Sequence, residues 1–215
     1  MFKTKVVGIS AALLVLVVIL SSVSLACGTK PAQTPSESGI AANYTTYTDG
    51  ANLFSISYPS DWEMALSQVE GLEQSAKEVT SSLKAGAPVE KASYIFLAGR
   101  RTATGYEPNI IIAVEPVPEG VSTHDGIVEA EVQVAKEVFP DYQELSRLKT
   151  TVNGREATIL NAEGTPPEQV TLHYVQMIIP VDETVWVVTC TALAEDFAQW
   201  ENDFNIIVRS LRVSN

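Results

Sequence analysis

Hydrophobic and polar positions divide the chain into three unlike stretches. Val6 to Leu20 is almost wholly apolar, Gly28 to Asn43 is small, polar and Pro-rich, and from Tyr44 onward apolar residues recur at regular spacings. The first stretch follows Lys3 and Lys5 with no acid nearby. A basic start, an apolar run and a small-residue cleavage site make a secretory signal, here residues 1–26. The second stretch, with the cysteine before it (27–43), has too little apolar surface to fold and reads as a flexible spacer. The third, residues 44–215, is long enough for one domain with its own core.

Within the domain, Leu53–Tyr58 alternates, with Phe54, Ile56 and Tyr58 on one side, and predicts a strand. Asp49-Gly50 and Pro59-Ser60-Asp61 read as turns, and Trp62 as a cap on the core. Val69, Leu72, Ala76, Val79 and Leu83 recur at helical spacing, and Gly86 and Pro88 end that helix. Tyr94–Gly99 and Asn109–Val114 read as buried strands joined by a polar turn. Ser122-Thr-His-Asp125 has the form of a capping box, and the helix after it carries Val128, Val132, Ala135 and Phe139 on one stripe before Pro140.

Asn153-Gly154 is the strongest local signal. It is the favoured two-residue hairpin turn, between strands Leu145–Val152 and Arg155–Ala162. A second hairpin joins Val170–Ile179 to Thr184–Ala192 around Pro180-Val181-Asp182-Glu183. The last helix, from about Glu195, presents Phe197, Trp200, Phe204, Ile207, Val208 and Leu211 as a wide apolar face. The sum is α+β: one antiparallel sheet and three helices, ordered so that helices can cover both sheet faces.

Charge and cysteines narrow the function. The chain has 14 basic and 26 acidic residues, and removing residues 1–26 takes Lys3 and Lys5, deepening the net charge from −12 to −14. That field repels polyanions, so no nucleic-acid partner is expected. The two cysteines are Cys27 and Cys190. Val23-Ser-Leu-Ala-Cys-Gly28 resembles the lipobox of bacterial lipoproteins, with Ala26 before the scissile bond and Cys27 after it. The box usually has Leu three residues before the cysteine; here Ser24 stands there and Leu25 follows. The resemblance implies cleavage between Ala26 and Cys27 and acylation of Cys27 by chains such as palmitate. The anchor would then be the membrane partner, with the domain on the extracytoplasmic face. The alternative is an uncleaved helix, since the apolar stretch extended through Ala26 approaches the ~20 residues that span a bilayer. Lys3 and Lys5 hold the N-terminus inside in either case. With Cys27 acylated, Cys190 has no disulfide partner. It shares an alternate face with Trp186, Val188 and Ala192 and reads as an inert packing thiol.

No chemical motif rises above this. The only histidines are His124, in the first turn of a helix and expected to be exposed, and His173, on a strand. Neither belongs to a zinc motif, so no metal and no cofactor are expected. A nucleophile elbow, a P-loop and a dinucleotide fingerprint are all missing. Glu115, Glu119 and Asp125, and again Asp182 and Glu183, read as acids on solvated turns. Arg100 and Arg101, near Gly99 and Gly105, could grip an anionic ligand but read first as balancing local acids. Trp62, Trp186 and Trp200 fit ordinary core packing.

Three segments together resemble PsbP-like domains. Phe54-Ser-Ile-Ser-Tyr-Pro-Ser-Asp-Trp62 resembles the opening strand and turn, and Pro108-Asn-Ile-Ile-Ile112 with its Ser-capped helix the next segment. Trp186-Val-Val-Thr-Cys-Thr-Ala192, with Phe197, Phe204, Ile207 and Ser210-Leu211, resembles the closing strand and helix. The resemblance implies an α/β/α sandwich around a central antiparallel sheet, and points to the bacterial lipoprotein branch that includes the LpqN group. Its members are mainly binding or accessory proteins, so the expectation is a non-enzymatic, membrane-tethered accessory module. The alternative is a carrier or sensor for a small apolar or lipid-like ligand between sheet and helix. A hydrolase ranks third, to be revived by His124 or His173 meeting acids in a concave site.

Overall fold

A computed structural model describes residues 43–65, 67, 69, 71–100, 106–167 and 169–214. The export segment, Ala26, Cys27, the spacer up to residue 42, Arg101 and Gly105 lie outside the described residues.

The elements in chain order are β1 (Tyr44–Thr48), β2 (Phe54–Pro59), β3 (Glu63–Met64), α1 (Leu72–Lys84), β4 (Ser93–Gly99) and β5 (Asn109–Pro116). Then come α2 (His124–Val138), β6 (Gln143–Val152), β7 (Arg155–Gly164), β8 (Leu172–Val181), β9 (Thr184–Leu193), α3 (Phe197–Ser210) and β10 (Arg212–Val213). Seven strands form one antiparallel sheet in the order β3-β4-β5-β9-β8-β7-β6. Contrary to the single sheet read from sequence, β1, β2 and β10 form a separate three-stranded sheet. The reason is long-range: β2 pairs with a strand made from the last residues of the chain.

Strand alternation assigns each face of the large sheet its cover. Ile110, Ile112 and Val114 of β5, Val175, Met177 and Ile179 of β8 and Trp186, Val188 and Cys190 of β9 point to one side. There they meet Ala76 and Val79 of α1, Phe204, Ile207 and Val208 of α3, and Phe54, Ile56 and Tyr58 of β2. The opposite residues Leu160, Ile178, Val185 and Val187 pack under Ile127, Val128 and Val132 of α2. Covered on both faces, β8 and β9 are almost continuously buried, as strands inside a sandwich must be.

Local chemistry sets the boundaries. Asn153 (φ 53°) and Gly154 (φ 77°) make the tight β6–β7 turn as expected. The second hairpin is tighter than its sequence suggests: Val181 pairs with Thr184, leaving Asp182 (φ 54°) and Glu183 as the turn. Pro180 is thus inside β8, opposite Val185. The strand tolerates it because β7 pairs with β8 only as far as Ile178, so no β7 partner stands opposite Pro180. The α2 cap is Thr123, not Ser122: its hydroxyl accepts from the Gly126 amide at 3.1 Å. Val69 precedes α1, which starts after Gly71 in the left-handed conformation (φ 80°).

Candidate functional site

Among the described residues, open clefts flank the core on two sides. One, of about 710 Å³, lies where α2 begins, between the Pro116–Val121 loop and the Asp182-Glu183 turn; Pro118, Val121, Thr123, His124 and Ile127 line it. The other, of about 550 Å³, lies between α1 and the β1–β2 turn. Phe54, Ala76, Ile95 and the exposed Met64 give it an apolar floor, with Lys77 and Lys84 at its rim. Lys77 is already paired with Glu73 at 2.7 Å. The turn is fixed by Asp49, whose carboxylate accepts from the amides of Ala51 and Phe54, each at 2.9 Å.

The histidines are both drawn inward. His124 was expected at the surface; instead it is half-buried, with Nε2 bonded to the Thr158 hydroxyl at 2.7 Å. The β7 strand beneath the first turn of α2 supplies that hydroxyl, which sequence spacing alone does not reveal. His173 is buried and lies flat against Phe197, ring centroids 3.3 Å apart. Its Nδ1 faces the Glu163 carboxylate and its Nε2 the Asn161 side chain, each at 2.9 Å. Burial pushes the imidazole below its ordinary value, against the opposing pull of Glu163. The Asn161 atom at Nε2 is its Oδ1, which accepts from the ring N–H. The third sequence reading asked for a histidine meeting acids in a concave site. His124 lines the 710 Å³ cleft along with Glu156, Asp182 and Glu183, its Nε2 held by the Thr158 hydroxyl. His173 meets Glu163, but it lines neither cleft and its ring face is covered by Phe197.

The acids behave differently from expectation in one place. Glu115 is no solvated turn residue: it is the penultimate residue of β5 and 1% exposed. Glu131 of α2, which the sequence reading did not single out, is equally buried, at 1%. Burial first, and then the nearby Glu115 carboxyl, holds Glu131 well above the ordinary carboxylate range. A polar residue on the Val128–Val132–Ala135 stripe was the available sequence signal. Asp125 is exposed as expected, and its bond to Lys149 lowers its carboxyl. The Asp182-Glu183 pair occupies a turn, as read.

Arg100 stands over the Trp200 ring, its guanidinium carbon 5.3 Å from the centroid, with Asp61 3.9 Å from its Nε. Trp62 and Trp186 are buried, Trp200 partly so; Trp62 meets Trp200 and Phe204 edge-on. Cys190 is fully buried and free, and burial pushes its thiol well up. Among the described residues no three His, Cys, Asp or Glu side chains group as metal ligands, and no helix is long and apolar enough to cross a membrane.

This architecture defines an α/β/α sandwich on an antiparallel sheet with a satellite three-stranded sheet packed into one helical layer. The chain belongs to the PsbP-like protein family, whose model matches residues 6–213. Solved structures share the fold. Cyanobacterial PsbP from Synechocystis is 13% identical (TM-score 0.53, covering 86% of this chain and 100% of that one). LpqN of Mycobacterium tuberculosis, described as involved in cell envelope biogenesis, is 14% identical (TM-score 0.50, 80% and 91%). Protein PA94 of Pseudomonas aeruginosa, of unknown function, is 14% identical (TM-score 0.51, 81% and 99%). No curated protein matches the chain significantly.

Proposed function

We propose that this PsbP-like protein is an extracytoplasmic accessory module, tethered to the membrane through acylated Cys27, whose domain works by binding rather than catalysis. The observation that carries the binding reading is the placement of reactive side chains. The Cys190 thiol and the His173 imidazole are built into the core, and His124, which lines a cleft, has its Nε2 engaged by the Thr158 hydroxyl, while Pro, Val and Met side chains give the clefts apolar contact area. LpqN, described as involved in cell envelope biogenesis, is in keeping with that setting. Crosslinking in native membranes followed by pull-down of the full chain tests it. A specific envelope partner lost when cleft residues change is the expected result. Purified protein that turns over a substrate, with activity abolished by one substitution, would overturn the reading.

A second reading has its own observation: the apolar floor of the α1 cleft, including Met64 at 43% exposure, suits a small apolar ligand. Native mass spectrometry of protein purified from its own membranes tests it. A co-purifying ligand displaced by Met64→Asp supports this reading, and ligand-free protein removes it.

A further inference from the structure

The 710 Å³ cleft at the start of α2 is built where the sheet's own pairing lapses. The β7–β8 ladder stops at Thr158 and Ile178, so beyond it Pro180 faces no β7 partner. By the same register Glu156 stands level with Pro180, on the face that α2 covers, as Thr158 does beneath His124. Across the opening, the Val117 amide donates to the Glu183 carbonyl at 3.1 Å and ties the Pro116–Val121 loop to the β8–β9 turn. Pro116 and Pro118 fix φ in that loop, and the Val121 amide donates back to the Pro118 carbonyl at 3.0 Å. The walls are therefore set before anything binds, which lowers the ordering cost of docking.

The lining has two parts. Val89 and Ile127 form a buried apolar floor, with Pro118, Val121 and Pro180 around it. Glu156, Asp182 and Glu183 are exposed at the rim, and no lysine or arginine among the described residues lines the cleft. Among the described residues none of these three carboxylates is in an ion pair, whereas Asp125, further along α2, is held by Lys149. Arg155 precedes Glu156 but points to the opposite sheet face by alternation. One influence opposes a cation here: the positive end of the α2 dipole, equivalent to about half a charge. Three carboxylates outweigh it, so the field in the cleft is negative.

We propose that this cleft is the docking site for a protein partner, which enters it with a basic, extended segment. Apolar side chains of that segment rest on the Val89–Ile127 floor, and its Lys or Arg side chains meet Glu156, Asp182 and Glu183. The inference rests on the binding reading above and names the partner's chemistry. An apolar centre inside a charged rim is the anatomy of a protein interface: the centre supplies affinity, and the rim supplies orientation and on-rate. Because the cleft is open, a small cation would stay largely hydrated in it. The apolar floor calls for a chain that brings both kinds of side chain. An acidic partner meets repulsion at the same rim.

A photo-crosslinking residue in place of Val121, in the full chain in its native membrane, tests this, with the captured peptide sequenced by mass spectrometry. The expected adduct is a protein segment carrying Lys or Arg within a few residues of the crosslink. Its yield should fall about tenfold in Glu156→Lys/Glu183→Lys, and severalfold as salt is raised from roughly 0.05 to 0.5 M. Asp182 stays in place there because its φ of 54° suits few side chains. Asp182→Asn/Glu183→Gln removes charge while keeping shape and should lower the yield too, so a misfolded reversal variant does not decide the matter. A neutral or acidic captured segment, a lipid adduct, a yield indifferent to both variants, or no adduct at all would overturn the proposal. A second crosslinker at Ser67, in the α1 cleft, keeps the two readings apart. Protein captured there and not at Val121 removes this site and leaves the binding reading standing.

Discussion

Gly164→Ala adds one carbon at a place where the structure leaves none to spare. Gly164 ends β7, opposite Leu172, and lies under the Phe139 ring that closes α2. A Cβ there would stand 2.6 Å from Phe139 Cβ and 2.7 Å from Cγ, where ordinary carbon contacts begin near ~3.5 Å. Phe139 cannot simply swing away. It is fully buried, stacked on Tyr174 at 5.7 Å, and enclosed by Ala135, Ala162 and Leu172. The ring must shift by about 1 Å into a closed cluster, an overpacking that costs roughly 1–3 kcal/mol. The stiffer unfolded chain returns about 0.4–1 kcal/mol. A net loss of about 1–2 kcal/mol is expected, read as a lower urea midpoint with unchanged m-value by tryptophan fluorescence. A neutral or stabilising Gly164→Ala would refute this account of how α2 terminates on the sheet.

The remaining predictions concern the turn, the thiol and the buried imidazole. Gly154→Ala places a side chain at φ 77° in the β6–β7 turn and should cost about 1 kcal/mol in the same assay; no cost would mean the turn relaxes freely. Cys190, fully buried, should resist a water-soluble disulfide reagent in the native protein and react once guanidinium unfolds it; native labelling within minutes would contradict its placement. His173 should titrate below 6.5 by NMR. The unfolded chain then binds the extra proton, so its contribution to stability is lost as pH falls below that value, and His173→Gln should flatten this acid limb. A midpoint above 6.5 would show that Glu163 outweighs burial.

Features governed by neighbours in sequence were legible, and those set by distant partners were not. Asn153-Gly154 announces its hairpin because the turn geometry is a two-residue property. The Trp186–Val188–Cys190 face and the Phe204–Ile207–Val208 stripe read correctly because strand and helix periods fix which residues share a side. The small sheet escaped notice because β2 meets β10 across most of the domain's length. Pro180 suggested a turn, yet it continues β8 past the end of its β7 neighbour. His124 and Glu115 looked solvated because a helix placed over a sheet buries polar residues that no local pattern marks. The burial of Glu131 is of the same kind. One polar residue on an apolar stripe hints at it, but only the docking of α2 on the sheet buries it.

The proposed anchor at Cys27 would set where the whole molecule acts, and one measurement addresses it: the mass of the N-terminal peptide of the protein isolated from its native membranes. A mature chain beginning at Cys27, with the cysteine carrying a diacylglyceryl group, is the predicted result. An intact peptide running through Ala26 into an unmodified Cys27 would contradict it.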